Sequence, residues 1–235
     1  MTDDSWLRPL RRRTVARWAG WAFRQESLFR RLQFDAIHGS RFTGRTMDVG
    51  GTSTSSYYKR MSFEGGIDSI NINPKLKPTV VHDLNQAIPL AGASYDNVIS
   101  LNTFEHVLNE EMAISEAVRI LKPGGSLMII IPWMYREHSS PHDYHRHTGR
   151  WWFTTLERLG CCDIAVAPLA WSSHTAALAL RGNGLATRVL SGVLGLFPVI
   201  RDRLCGSPSP ARSTEIAKTA LGWHITARKR ALATA

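Results

Sequence analysis

The stretch WMYREHSSPHDYHRHT, residues 133–148, gathers His138, His142, Asp143, Tyr144, His145, Arg146 and His147 in a segment too polar for a core and too rich in rings for a plain linker. Histidine exchanges protons near neutrality because its ordinary pKa is about 6.5, which suits it to general-base work. A carboxylate such as Asp143 can orient an imidazole or an acceptor, and Arg146 can hold an acidic or hydroxylated substrate. The spacing of the four histidines matches no standard zinc motif and magnesium prefers oxygen, so no metal is expected. Two structural readings stand beside the chemical one: an Asp143–Arg146 pair that anchors the loop, and histidines that are simply solvated.

A second stretch, RTMDVGGTSTSSYY from Arg45 to Tyr58, begins as a strand and a turn. Asp48 ends the strand, and Gly50 and Gly51 follow. Small residues at such a turn let backbone approach a ligand. Threonines and serines then stand where a nucleotide-cradling loop usually has more glycine. The residues alone leave two readings: an altered cofactor loop, or a strand running into a polar loop.

The elements that must position these stretches follow from periodicity. TMDV, IDSINI, TVVHDL and YDNVISL are short apolar runs, and Asn109 to Leu121 carries Met112, Ala113, Ala117, Val118, Ile120 and Leu121 at helical spacing. LKPGG breaks that helix, and SLMIIIP reads as a strand buried on both faces. The alternation predicts βαβ units, an α/β fold with a mostly parallel sheet and helices on both sides. Thr148 is expected to cap a helix through Leu159, with Gly160 as its stop. CDIAVAPLA and ALGWHITARK read as further strands, Ala176 to Cys205 as one or two helices, and GSPSPARST as a loop.

Ahead of them, Ser5 to His38 carries Trp6, Leu7, Leu10, Trp18, Trp21, Phe23, Leu28, Phe29, Leu32 and Phe34 among arginines. This predicts two amphipathic helices divided near Gly20, with Pro9 in the first turn of the earlier one. Such helices can lie on a membrane surface or cover a sheet with their arginines in water. The expected organisation is a helical extension over residues 1–40 and one α/β domain over 41–235, with a helical cover near 172–212.

The chain has 235 residues, 43% of them apolar and 20% charged, the composition of a soluble globular protein. No apolar run is long enough for a membrane span. Cys161, Cys162 and Cys205 form neither a disulfide ladder nor a C-x-x-C knuckle, which predicts a reducing, cytoplasmic setting. Asp3 and Asp4 precede an arginine cluster with no apolar region behind it, so no secretory signal is expected. Much of the net charge of +10 lies in Arg8, Arg11, Arg12, Arg13, Arg17, Arg24, Arg30 and Arg31. It is compatible with nucleic acid, an anionic membrane or an acidic substrate. Arginine is frequent throughout, so the charge selects none of these.

Taken in order, these motifs resemble the class I S-adenosylmethionine-dependent methyltransferases. DVGG follows the first strand, Asn71 and Asn73 end the second, HDL with Asp83 ends the third, SLNTFEH ends the fourth and LKPGG precedes the fifth. The run YDNVISLNTFEHVLNEEMAISEAVRILKPGGSLMIIIP is similar to that family from its fourth to its fifth strand. The resemblance covers roughly residues 40 to 165 and the closing WHITARK. It implies a Rossmann-like seven-stranded, mostly parallel sheet with an antiparallel last strand. An N-terminal helical cap and a helical insertion before the last strand would complete the fold.

The resemblance also implies S-adenosyl-L-methionine as cofactor, held by Asp48, Gly50, Gly51, Thr52, Asn71, Ile72, Asp83, Leu84 and Asn102. Asn71 would face the ribose hydroxyls and Asp83 an exocyclic amine. Against the family's D-x-G-x-G-x-G, the chain reads Asp48-Val49-Gly50-Gly51-Thr52-Ser53-Thr54, and Asn71 replaces an acid. A charge-assisted hydrogen bond is thereby lost, and the hydroxyls of Thr52, Ser53 and Thr54 are candidate replacements for contacts to the methionine part.

Methyl transfer to a hydroxyl needs alignment and a base. PHDYHRHT resembles a segment of the type 11-like subset associated with sugars, glycolipids and secondary metabolites. His142 is the first choice for the base and His145 the second, with Asp143 orienting. Tyr144, Arg146 and His106 are expected at the substrate, His106 also as a reserve base beside Glu105. Tyr57 and Tyr58 either shield the sulfonium or pack. The expected function is methylation of a small-molecule hydroxyl. RNA methylation and a catalytically degenerate scaffold are the alternatives. Nucleic acid is not an expected partner, because no N-P-P-Y tetrapeptide or RNA-binding appendage is present. Peripheral membrane contact through the basic N-terminal helices and homodimerisation stay open.

Overall fold

The computed structural model describes residues 5–22, 26–139, 141–182 and 184–231. Asp3, Asp4, Phe23 and Arg24, which entered the sequence reading, lie outside the described residues, as does the side chain of Trp21. The strands are β1 (Ser40–Phe42), β2 (Thr46–Val49), β3 (Met61–Phe63), β4 (Ile67–Asn71), β5 (Val80–Val81), β6 (Tyr95–Leu101), β7 (Leu121–Pro132), β8 (Cys161–Leu169) and β9 (Gly222–Lys229). The helices are α1 (Val15–Ala22), α2 (Leu28–Ile37), α3 (Glu110–Ile120), α4 (Gly149–Arg158), α5 (Ser173–Arg181), α6 (Leu185–Cys205) and α7 (Pro210–Ala217).

Seven strands form one sheet in the order β5-β4-β2-β6-β7-β9-β8. The β2–β4, β2–β6, β4–β5 and β6–β7 pairs are parallel, and β9 runs antiparallel to β7. Asp48 on β2 sits opposite Ser69 on β4 and Ile99 on β6. The expected Rossmann-like sheet with its reversed last strand is therefore present. Its central strands lack alternation because they are covered on both sides: all four residues of β2 are buried, as are the last six of β7.

The chain divides into two compact units. The first, residues 37–131, 137–166 and 225–235, holds most of the sheet. Its core is built from Met47, Val49, Ile70, Val98, Ile99, Leu127, Ile129 and Ile130 on the strands and from Ala113, Ile114 and Ala117 on α3. The α3 residues recur at three- and four-residue spacing, so one stripe of the helix faces inward. Glu110 and Glu111 in its first turn and Arg119 in its last complement the helix dipole. Thr148 caps α4 by accepting from Trp151 N, and Gly160 follows with φ +82°, both as the sequence predicts.

The second unit, residues 1–36, 132–136 and 167–224, is mainly helical. Arg13 is buried within it: Nε and Nη2 donate to Asp202 Oδ2 and Oδ1 at 2.8 and 2.7 Å, and Nη1 donates to Trp171 O at 2.6 Å. Among the described residues no helix is long and apolar enough to cross a membrane.

Several local expectations need correction. Pro9 lies outside any helix, because α1 starts only at Val15, and Gly20 falls within α1. LKPGG stops α3 but belongs to β7, joined through a register shift between Tyr95 and Asn97. Helix α7 begins inside the segment read as a loop: Ser209 caps it by accepting from Arg212 N, and Pro210 opens it with a φ already suited to a first turn. β1 and β3 form a small parallel pair under a Phe42–Phe63 stack, which no periodicity announced.

Candidate functional site: a cleft and its histidine loop

The turn after β2 explains which glycines the loop keeps. Gly50 has φ +87°, a left-handed conformation, and a Cβ there would come 2.0 Å from Thr103 Oγ1. A Cβ on Gly51 would come 2.1 Å from Asp48 Oδ2. Neither Thr52 nor Thr54 has a positive φ, so neither position requires glycine. Their polar groups close the loop on itself instead. Thr52 N donates to Ser55 Oγ at 3.0 Å, and Thr52 Oγ1 lies 3.1 Å from Ser55 Oγ and accepts from Thr54 N at 3.3 Å.

Asn71 ends β4 and holds the same turn. Its Nδ2 donates to Gly50 O and Gly51 O at 2.8 and 3.2 Å, and its Oδ1 accepts from Asn73 N at 2.9 Å. An acid cannot make the first two bonds. Asp48 lies beneath the turn, fully buried, and its Oδ2 accepts from the hydroxyls of Tyr57 and Tyr58 at 2.6 and 2.7 Å. Its Oδ1 is buried without a partner. Burial pushes the Asp48 carboxyl up to about 6, with the two tyrosine bonds pulling the other way. The two tyrosines also meet edge to face.

A cleft of about 600 Å³ opens at these strand ends. Of the sequence-predicted cofactor residues, Gly50, Asn71, Ile72, Asp83, Leu84 and Asn102 line it, whereas Asp48, Gly51 and Thr52 lie outside its lining. Asp83 accepts from Asn85 N and Nδ2 through one oxygen, Oδ1. Ile72 is 57% exposed and Leu76 41%, apolar surface left open beside the polar groups of the rim. A glycine turn without room for Cβ, exposed apolar side chains and flanking Asn and Asp groups fit S-adenosylmethionine, which has a planar base, a ribose and a cationic amino acid end.

The histidine loop docks along the segment that follows β6. Tyr144 N donates to Glu105 O at 2.7 Å, His106 Nδ1 to His142 O at 2.5 Å, His145 Nε2 to Leu108 O at 3.1 Å, and His147 Nε2 to Glu110 Oε2 at 2.6 Å. His147 also stacks on Trp151 with ring centroids 3.6 Å apart. Asp143 binds Arg146 through both oxygens and accepts from His138 N at 2.9 Å. Asp143 and Arg146 thus anchor the loop, while His142 and Tyr144 are exposed and line the cleft together with His106.

Sequence reading underrated Glu105. Its side chain is fully buried, both carboxylate oxygens lack a hydrogen-bond partner, and burial pushes its pKa up to about 8. His106 Nε2 and His138 Nε2 lie 3.7 and 3.9 Å from Glu105 Oε1. Burial also holds His106 below the usual histidine value. The adjacent acid and histidine in FEH were the available signal.

Residues 65–129 match the family described as a methyltransferase domain. No curated relative matches the chain. Among solved structures, a chain of the complex between the Haloferax volcanii Trm112 methyltransferase activator and a methyltransferase aligns with TM-score 0.54 and 16% identity, over 92% of this chain and 95% of that one. The Haemonchus contortus phosphoethanolamine N-methyltransferase 2, solved with phosphomonomethylethanolamine and S-adenosylhomocysteine, aligns with TM-score 0.51 and 13% identity, over 85% and 52%. At such identities the likeness speaks to fold. Residues 65–129 are thus similar to part of a methyltransferase domain, and the chain has the Rossmann-like fold of these solved methyltransferases.

Proposed function

We propose that this chain is an S-adenosylmethionine-dependent methyltransferase that methylates a hydroxyl of a small molecule, a sugar, glycolipid or secondary metabolite. One observation carries the choice of oxygen: of the loop histidines, His142 alone lines the cleft. When bound, S-adenosylmethionine supplies a methyl group on a sulfonium, already a strong electrophile. The remaining work falls to the protein. The turn at Gly50 and the rim at Ile72, Asp83 and Leu84 bind and orient the cofactor. His142 takes the acceptor's proton as its oxygen bonds to the methyl carbon. The ring of Tyr144, 5.7 Å from that of His142, borders the acceptor side.

Calorimetric titration with S-adenosylhomocysteine and turnover on hydroxylated acceptors test this reading. The wild-type protein is expected to bind S-adenosylhomocysteine at micromolar concentrations. His142→Ala should lower turnover by about 10²- to 10⁴-fold, the usual contribution of a general base, with affinity for S-adenosylhomocysteine unchanged. Unaltered turnover would remove His142 from the mechanism. A folded wild-type protein without affinity for S-adenosylhomocysteine would instead favour the scaffold alternative.

A further inference from the structure

We propose that Glu105, His106 and His138 form a site for one divalent transition cation of the zinc type at the edge of the cofactor cleft. No two of their three ligand atoms are more than 4.8 Å apart, and both imidazole Nε2 atoms face the same carboxylate oxygen. Two histidines and one glutamate are an established zinc ligand set that leaves a further position open. Two nitrogen ligands disfavour magnesium or calcium, which take oxygen.

Three features separate this group from a chance cluster. First, Glu105 is fully buried and neither of its oxygens has a hydrogen-bond partner. Whether the acid is ionised or protonated, such burial is costly unless something pairs with it, and a cation would. Second, the outer nitrogen of each imidazole faces an oxygen acceptor of the kind that orients ligating histidines. His106 Nδ1 donates to His142 O, and His138 Nδ1 lies 3.3 Å from Asp143 Oδ2. Third, the neighbouring group of Glu110, His145 and His147 lacks this character. There His147 donates directly to Glu110 and stacks on Trp151, so the gap for an ion is already closed. Arg146 is the nearby positive charge; it is bound to Asp143 through two bonds, and its Nη2 also lies 3.5 Å from His138 Nδ1.

His106 also lines the cleft, so the ion's open position would face the acceptor. A hydroxyl bound there would become more acidic, as water does on zinc, and His142 would receive its proton. This catalytic use rests on the proposed methyl transfer. The binding of the ion does not. The sequence reading expected no metal because it weighed four loop histidines; this site uses one of them and two residues from beyond β6.

The test uses the full chain, stripped with a chelator and titrated with Co²⁺ by visible absorption and with Zn²⁺ by competition. One equivalent should bind at micromolar concentration or tighter. Glu105→Gln and His138→Ala should each weaken binding by 100-fold or more, while His147→Ala leaves it unchanged and S-adenosylhomocysteine affinity survives in all three. His138→Ala decides if Glu105→Gln fails to fold, because His138 is partly exposed. Absence of Co²⁺ and Zn²⁺ binding in the wild type, or binding unaffected by His138→Ala, would overturn the site. Neither measurement depends on turnover, so failure to find an acceptor leaves the result readable.

Discussion

Asp48 offers a direct measure of how the glycine turn is built. Its carboxyl is shifted from an ordinary 3.8 to about 6 by burial. Well below pH 3.8 the folded and unfolded chains both carry it protonated, and it contributes nothing. As pH rises toward 6 the unfolded chain ionises first, so stability falls, and above 6 the loss levels off. At 1.36 kcal/mol per pKa unit, the loss amounts to about 3 kcal/mol, roughly a hundredfold in the unfolding equilibrium. Asp48→Asn removes the titration while its carbonyl oxygen still accepts from Tyr57 and Tyr58. Its amide leaves a buried donor where Oδ1 stands, but that cost does not vary with pH. Urea unfolding of both proteins between pH 4 and 7.5 should therefore show the wild type losing about 2.5 kcal/mol relative to Asp48→Asn, the rest being lost below pH 4. Parallel profiles would refute the account, because a normally titrating Asp48 would place the steepest loss elsewhere or nowhere.

Gly50→Ala should weaken S-adenosylhomocysteine binding at least tenfold by calorimetry. The left-handed φ alone costs about 1–2 kcal/mol, and the added Cβ meets Thr103 at the cleft floor. Arg13→Ala should destabilise the helical unit by about 3–5 kcal/mol by leaving Asp202 buried and unpaired. Arg13→Met with Asp202→Leu should recover most of that loss in thermal denaturation, and equal losses in the single and double variants would count against a buried ion pair.

The sheet was legible because its strands are apolar runs separated by strong punctuation: DVGG, LKPGG and the Thr148 to Gly160 helix with its own cap and stop. The failures lie where local and tertiary forces part. Pro9 suits a first helical turn, yet the segment up to Thr14 stays outside any helix and carries Arg13 to Asp202, a partner 189 residues away. GSPSPARST has the composition of a loop, but Ser209 and Pro210 are equally a helix start, and Ile216 and Ala217 are buried. In the site, six of the nine residues expected at the cofactor line the cleft, at and just beyond strand ends. The division of labour within the histidine loop was not legible. Four histidines look alike in sequence, and only docking against residues 105–110 separates His142 from His145 and His147.

The two departures from the family's loop make up one device. A glycine-rich loop stays open to a ligand because its backbone is unconstrained, at an entropic cost on folding. Here Thr52 engages Ser55 and Thr54, which fixes the loop from within, and Asn71 donates to both glycine carbonyls, which fixes it from below. A carboxylate at position 71 would set an acceptor against two acceptors 2.8 and 3.2 Å away. Once threonines stiffen the turn into this shape, the residue beneath it must be a donor, so the asparagine follows from the loop it supports. The turn's own carboxylate, Asp48, lies under it, fully buried and held by Tyr57 and Tyr58.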